Sequence, residues 1–214
     1  MNNLFLFDKN ISENNSVLIG TDEAGRGPGA GDVVAAAVYF PKTDISLQKE
    51  LCKLNDSKKL SEKTREELFD IIIKNSIYNI VFGSVQEIDS DNILKTSLNC
   101  MKRACFDVIS QIKKDDVLVV VDGNKLINNF NYPQKYIIKG DAKSASIAAA
   151  SILAKVSRDR YMKKLDLEFP QYHWAKNKGY LTSEHLDAID KYGTTKYHRK
   201  KFLEKHFTKQ LSLF

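Results

Sequence analysis

Long apolar runs are missing from this chain. No segment approaches the roughly 18 consecutive apolar residues of a membrane span. The N-terminal "MNNLFLFDKN" has too short an apolar stretch and no basic leader, which predicts neither a signal peptide nor an anchor. Cysteine is scarce: Cys52, Cys100 and Cys105 are three in number, and none stands in a C-x-x-C pair. That excludes a disulfide framework and a zinc knuckle alike, and predicts small buried hydrophobes in a reducing, cytoplasmic setting. Internal repeats, low-complexity tracts and a Pro- or Ser-rich linker are also absent. At 214 residues the chain fits one domain of ordinary size with a full apolar core, and nothing in it requires more than a monomer.

What the chain does carry is positive charge. A formal net charge of +6 and a pI near 9.0 point to a polyanionic partner such as nucleic acid, although a lysine-rich surface also serves solubility alone. The composition shifts beyond Gly193, where "TTKYHRKKFLEKHFTK" is basic and partly helical in pattern and its basic run reads first as a solvated face. We therefore divide the chain into a main domain over residues 1–192 and a basic C-terminal segment and tail over residues 193–214.

"VLIGTD" (Val17 to Asp22) and "VVAAAVYF" (Val33 to Phe40) are β-branched, apolar runs on either side of a glycine-rich stretch, and they predict a hairpin with an enlarged loop. Ser61 is placed to cap a helix through "EKTREELFDIIIKN", in which Leu68, Ile71 and Ile72 share one face. "IYNIVFGSV" returns to strand character, and "ILKTSLNCMKRACFDVISQI" has helical periodicity. "VLVVVD" (Val117 to Asp122) predicts a fully buried strand and "KYIIKGD" (Lys135 to Asp141) another. In "SASIAAASILAKVSRDRYM" alanine and serine give a long helix a slim face that sits close on a sheet, capped by Asp141 or Ser144. The order predicts an α/β fold, a mixed sheet covered by helices.

Asp22, Asp122 and Asp141 each follow an apolar run, and with Glu23 they are candidates to converge at the strand ends, where open α/β sheets bind ligands. Two carboxylates about 4 Å apart repel by roughly 4 kcal/mol at an effective dielectric near 20, so such a cluster needs cations. An all-oxygen set without cysteine or histidine suits Mg²⁺ or Mn²⁺ better than zinc. Two such ions clamp an in-line phosphoryl displacement, which makes phosphodiester hydrolysis the natural reaction. A lone aspartate at a strand end is more often turn chemistry or a helix cap; four in this arrangement reverse that balance.

"GRGPGA" (Gly25 to Ala30) also fits the G-x-G-x-x-A dinucleotide fingerprint. The fingerprint needs a helix to open at once, whereas Pro28 and a strand-like run follow, and Asp22 and Glu23 would repel a pyrophosphate. A Walker loop fails for want of Gly-Lys-Ser/Thr.

Taken together, "DEAGRGPGAGDVVAAAV", "NDSKKLS", "VVVDG", "KGDAKSASIAAASILAKVSRDR" and "NKGYLTSEH" resemble bacterial ribonuclease HII over most of the chain, from Gly20 to about His198. The resemblance implies a ribonuclease H-like mixed five-stranded sheet flanked by helices, with a short helical C-terminal extension. It implies endonucleolytic cleavage of the RNA strand of RNA–DNA hybrids and of DNA duplexes 5′ to a single embedded ribonucleotide, leaving a 3′-hydroxyl and a 5′-phosphate. Carried over by motif, Asp22, Glu23, Asp122 and Asp141 match the catalytic metal-binding carboxylates. Gly25, Arg26 and Gly27 match the element that lies against the ribose 2′-hydroxyl, the group by which RNA is told from DNA. Tyr180 matches the tyrosine that stacks on the neighbouring deoxyribose; without the resemblance it reads as a half-buried packing residue.

Asn55, Ser57 and Lys58, and Lys143 with Ser144, read as phosphate-contacting elements, with a solvated loop as the alternative. Gly29 and Asp32 depart from the pattern, which usually has a bulkier apolar residue and a proline there; Asp32 is a candidate to perturb metal or substrate affinity. The related ribonuclease HIII is disfavoured because Gly25-Arg26-Gly27 reads as HII and no additional binding domain precedes Gly20. His173, His185, His198 and His206 are scattered without metal-ligand spacing and read as packing or surface residues, with a phosphate contact conceivable for His198. "QLSLF" matches the short peptide that docks on the DNA polymerase sliding clamp, with Leu211, Leu213 and Phe214 filling an apolar pocket and Gln210 donating a hydrogen bond. The alternative is a tail folded back on its own domain. Two rival functions remain open, a different ribonuclease H-like nuclease or strand-transfer enzyme and a non-enzymatic clamp-bound adaptor. The acidic set weighs against the adaptor; the Gly-Arg-Gly element and Tyr180 weigh against the other nucleases.

Overall fold

The computed structural model describes residues 3–12, 17–55, 57–112, 114 and 116–211, with the side chains of 205 and 209–211 outside the description. A mixed five-stranded sheet of order β3-β2-β1-β4-β5 organises the chain. Strands β1 (Val17–Ala24), β2 (Val33–Tyr39) and β3 (Ile77–Gly83) form an antiparallel meander, and β4 (Val117–Asp122) and β5 (Gln134–Ile137) add in parallel beyond β1. Among the described residues the helices are α1 (Asn3–Ile11), α2 (Ile45–Glu50), α3 (Glu62–Asn75), α4 (Val85–Ser90), α5 (Ile93–Ile112), α6 (Ala145–Glu168), α7 (Trp174–Asn177), α8 (Ser183–Tyr192) and α9 (Lys200–Leu211).

The period of two along each strand divides the core. Val17, Ile19, Val33, Ala35, Ala37, Val119 and Val121 pack on the apolar face of α5, with Cys100, Met101, Ala104, Cys105 and Val108. Ala36 and Val38, on the other face, meet the alanine run of α6 together with Leu68 and Ile72 of α3. Leu18, Leu118 and Val120 meet Ile147 of α6 on that same side. A third cluster joins the end of α6 to α7, α8 and α9 through Met162, Tyr172, Trp174, Ile189 and Leu203.

Helix α6 lies almost in backbone contact with β1. A Cβ built on Gly20 would stand 2.2 Å from the carbonyl carbon of Ser146 and 2.4 Å from the amide nitrogen of Ile147. Ser144 caps α6 by accepting from the Ile147 amide at 3.2 Å, so of the two candidate caps the serine takes the position. Ser61 caps α3 as its sequence predicts, with the Thr64 amide 3.1 Å from its hydroxyl.

Two expectations need correction. The "KYIIKGD" strand ends at Ile137 and is the outer edge of the sheet, not a buried strand: Tyr136 and Ile138 are exposed, because β5 has a partner on one side only and Lys139 turns the chain with a φ of 56°. Cys52 is likewise exposed, since it lies in the turn after α2, whereas Cys100 and Cys105 are buried in the α5 interface. Burial pushes the Cys100 thiol up to about 11 and the Cys105 thiol up to about 12.

Two outcomes are expected. Gly20→Ala forces α6 off the sheet and should destabilise the protein by about 3 kcal/mol, seen as a lower denaturation midpoint; an unchanged midpoint would contradict the close packing. A thiol-reactive reagent should titrate Cys52 alone in the folded protein at neutral pH and all three cysteines after unfolding.

Candidate active site

The first two carboxylates are placed by register. β1 and β4 run parallel with Thr21 opposite Val121, so Asp22 and Asp122 come next on adjacent strands. Both fall on the α6 side of the sheet, in step with Gly20 and Val120. Asp141 follows in a one-turn helix, Gly140 to Ala142, which Asp122 itself anchors: its Oδ1 accepts from the Gly140 amide at 2.7 Å and from the Asp141 amide at 3.4 Å. Glu23 is the last but one residue of β1, its amide donates to Asp22 Oδ1 at 2.7 Å, and Arg26 lies 3.2 Å from its carboxylate.

The β1–β2 loop is held from inside by two buried arginines. Arg158 of α6 donates to the carbonyls of Asp32, Ala30 and Lys178 at 2.9 to 3.0 Å. Arg199, fully buried, donates to the carbonyls of Gly25, Pro28 and Gly31 at 2.7 to 2.9 Å and to that of Arg26 at 3.3 Å. Burial works against the charge on both guanidinium groups, and the carbonyl dipoles and the nearby Asp32 are what make it tolerable. Gly25 has a φ of 99°, and a Cβ there would meet Arg158 Nε at 2.1 Å. No other residue type fits that place.

Asp22, Glu23, Asp122, Asp141, Gly25, Arg26, Gly27, Ser57, Lys58 and Tyr180 line one cleft of about 580 Å³, joined by Ser151, Lys155 and Arg158. Burial, and then the charges of Glu23 and Asp122, hold the Asp22 carboxyl well above the usual carboxylate range. Burial raises Glu23 as well, against the pull of Arg26. Four oxygen-donor carboxylates around one opening, one of them buried and repelled by two neighbours, fit a hard divalent cation. Among the described residues no three such groups stand together as a finished ion cage. Tyr180 is half exposed, and a Cβ on Gly27 would lie 3.3 Å from its ring, so the two elements face each other.

The other predicted residues fall elsewhere. Asn55 is exposed and Lys143 lies outside the cleft lining, while Ser144 is buried as the α6 cap. The Ser57 hydroxyl is 3.0 Å from that of Ser151. Asp32 is turned from the cleft toward Tyr161 and the two arginines, so it acts on the loop from behind, and Leu181 fills the space next to Gly29. Gln210 and Leu211 belong to the backbone of α9, and Leu213 and Phe214 lie outside the described residues. His198 is buried, not phosphate-facing, and Arg199 is no part of a solvated face. Sequence reasoning passed over Lys155, Arg158 and Arg199; the spacing of Ser151, Lys155 and Arg158 along one side of α6 is a signal that points to the first two.

A family profile described as ribonuclease HII matches residues 19–210. A ribonuclease HII of Fusobacterium nucleatum is 48% identical over 205 residues, covering 95% of this chain and 92% of its own. Among solved structures, the ribonuclease HII of Archaeoglobus fulgidus in its complex with PCNA superimposes with a TM-score of 0.69 at 26% identity, over 86% of this chain and 94% of that one. Bst-RNase HIII in complex with Mn²⁺ gives a TM-score of 0.70 at 16% identity, over 94% and 72%. With the mixed sheet and strand-end carboxylates described above, these matches establish that the chain belongs to the ribonuclease HII family of nucleases.

Proposed function

We propose that the protein is a divalent-metal-dependent endonuclease that cuts the RNA strand of RNA–DNA hybrids and cuts duplex DNA 5′ to a single embedded ribonucleotide, leaving a 3′-hydroxyl and a 5′-phosphate. It serves ribonucleotide removal in replication and repair, as a cytoplasmic monomer. The observation that carries this reading is the shared cleft, in which Asp22, Glu23, Asp122 and Asp141 face the Gly25-Arg26-Gly27 loop and Tyr180.

The four carboxylates are the residues that hold Mg²⁺ or Mn²⁺. When bound, a pair of such ions would supply Lewis-acid activation of the attacking water and stabilisation of the leaving oxygen. Gly25 and Gly27 let the loop backbone approach the ribose closely enough to sense a 2′-hydroxyl. Tyr180, across from Gly27, stacks on the sugar that follows and senses the step from RNA to DNA. Lys58 and Lys155 line the cleft and Arg26 stands at its mouth, where they position the phosphate backbone without reading sequence. Asn55 and Lys143 flank the cleft as further contacts to that phosphate backbone, while Ser57 lies against Ser151 in its wall and Ser144 caps α6.

Residues 193–214 form the extension that carries "QLSLF", in which Gln210, Leu211, Leu213 and Phe214 dock on the polymerase sliding clamp. The structure of the Archaeoglobus enzyme with PCNA supports that partner class.

The test of the activity is a labelled DNA duplex with one ribonucleotide, beside an all-DNA control, in Mg²⁺, Mn²⁺ or EDTA. One cut 5′ to the ribonucleotide is expected, abolished by EDTA and reduced at least about a hundredfold in Asp122→Asn; no cut by folded, metal-supplied protein overturns the assignment. Deleting Leu211 to Phe214 should abolish clamp binding in a direct affinity measurement while cleavage of the short duplex stays unchanged, and undiminished clamp affinity sinks that part of the reading.

A further inference from the structure

Tyr180 lies in the link between α7 and α8, where its amide donates to the Asn177 carbonyl at 3.0 Å. Its carbonyl accepts from the Thr182 amide at 2.9 Å and lies 2.9 Å from Nδ1 of His185. His185 is fully buried, and its other ring nitrogen faces Nε2 of the buried His198 at 3.2 Å and Nε1 of Trp174 at 3.0 Å.

The protonation of this chain of groups follows from those with a single role. The Thr195 amide is a donor and lies 2.9 Å from His198 Nδ1, so that nitrogen accepts and the ring hydrogen of His198 is on Nε2. It points at His185 Nε2. The Trp174 indole N–H, also a donor only, points at the same atom. His185 Nε2 therefore accepts, its hydrogen is on Nδ1, and the atom left to receive it is the Tyr180 carbonyl. A second proton on either ring would set N–H against N–H, and burial disfavours the charge on both imidazoles.

Two imidazoles at 0% and 3% exposure are a costly filling for a space that aliphatic side chains would pack. Tyr172, stacked on Trp174 at 5.0 Å between ring centres and edge-on to His198 at 4.8 Å, closes them off from solvent. The one place the relay delivers a hydrogen bond outside itself is the backbone of Tyr180. The adjoining Arg199 holds the Gly25-Arg26-Gly27 loop, which faces the Tyr180 ring. One stretch, Thr195 to Arg199, thus governs both walls of the cleft.

We propose that His185, fixed in one tautomer by His198 and Trp174, is a positioning residue for recognition of the RNA-to-DNA step: it anchors the Tyr180 carbonyl and so sets the Tyr180 ring at its distance from Gly27. The proposal rests on the role given to Tyr180 above.

The experiment compares kcat and KM on a duplex with one ribonucleotide and on a uniform RNA–DNA hybrid, for the intact protein, Tyr180→Ala, His185→Asn, His185→Leu and the double variant His185→Leu/Tyr180→Ala. Tyr180→Ala is expected to lower the preference for the single ribonucleotide, and His185→Leu to lower it about tenfold, mainly through KM. His185→Asn, whose amide N–H can still reach the carbonyl, is expected to keep most of the preference, and the double variant to fall no further than Tyr180→Ala. Equal losses on both substrates in His185→Leu, or losses that add to those of Tyr180→Ala, overturn the proposal by showing a merely structural histidine. An unchanged preference in Tyr180→Ala overturns the reading of Tyr180 itself, and the positioning role falls with it. Nitrogen NMR of the intact protein tests the relay without any variant: the ring hydrogen is expected on Nδ1 of His185 and Nε2 of His198, and the opposite tautomers, or a doubly protonated ring at neutral pH, overturn it.

Discussion

A buried positive charge that must find oxygen is the constraint on which the β1–β2 loop side of the cleft depends. Arg199 reaches back from the last tenth of the chain and is satisfied by carbonyls of Gly25, Arg26, Pro28 and Gly31, while Arg158 takes those of Ala30, Asp32 and Lys178. A guanidinium in the interior without such partners would be prohibitively unstable, so the loop, the Lys178–Tyr180 segment and the Thr195–Arg199 segment have to assemble together or not at all. Main-chain bonds reinforce the same joint: the Gly29 and Ala30 amides donate to the Gly179 carbonyl, and the Arg199 amide donates to that of Gly29. The hairpin loop is thereby a fixed wall, although its glycines in isolation suggest a mobile one.

The carboxylate side of the cleft depends on a different constraint, the closeness of α6 to β1. Because Gly20 offers no side chain, the helix descends onto the strand, and Ser151 comes within hydrogen-bonding reach of Asp22. The parallel register then sets Asp122 beside Asp22, and the hydrogen bonds that Asp122 accepts from the Gly140 and Asp141 amides bring Asp141 to the same opening. Sheet, helix and turn together gather like charges at one strand edge, where folding alone gains nothing from gathering them.

Much of this was legible. The β-branched runs marked four of the five strands within a residue or two, Ser61 announced its helix, and the alanines of α6 announced close packing, since each of these signals is local. Asp22, Glu23 and Asp122 were legible because a strand's end is visible in its own residues, whereas Asp141 stands in the one-turn helix beyond β5 and is brought in by its neighbours' hydrogen bonds to Asp122. β5 was misjudged because "KYIIKGD" carries the apolar content of a buried strand, and whether a strand has one neighbour or two is a property of the sheet. Arg199 and His198 were illegible for a stronger reason. In "KYHRKK" they look like any solvated basic run, and the carbonyls that receive Arg199 stand more than 160 residues earlier in the chain. Nothing in the neighbouring residues reports such partners. The Thr195-to-Tyr180 relay was hidden in the same way, because isolated histidines acquire tautomers only from what surrounds them.

The stitched loop bears on how discrimination is achieved thermodynamically. A flexible glycine loop would have to be immobilised when a nucleic acid arrives, and part of the contact energy would be lost to that ordering. Here the ordering is completed when Arg158 and Arg199 are buried, during folding. Under the proposed function, a sugar entering the cleft would meet a preorganised surface, so a single oxygen more or less on it would be weighed almost in full, undiluted by conformational entropy.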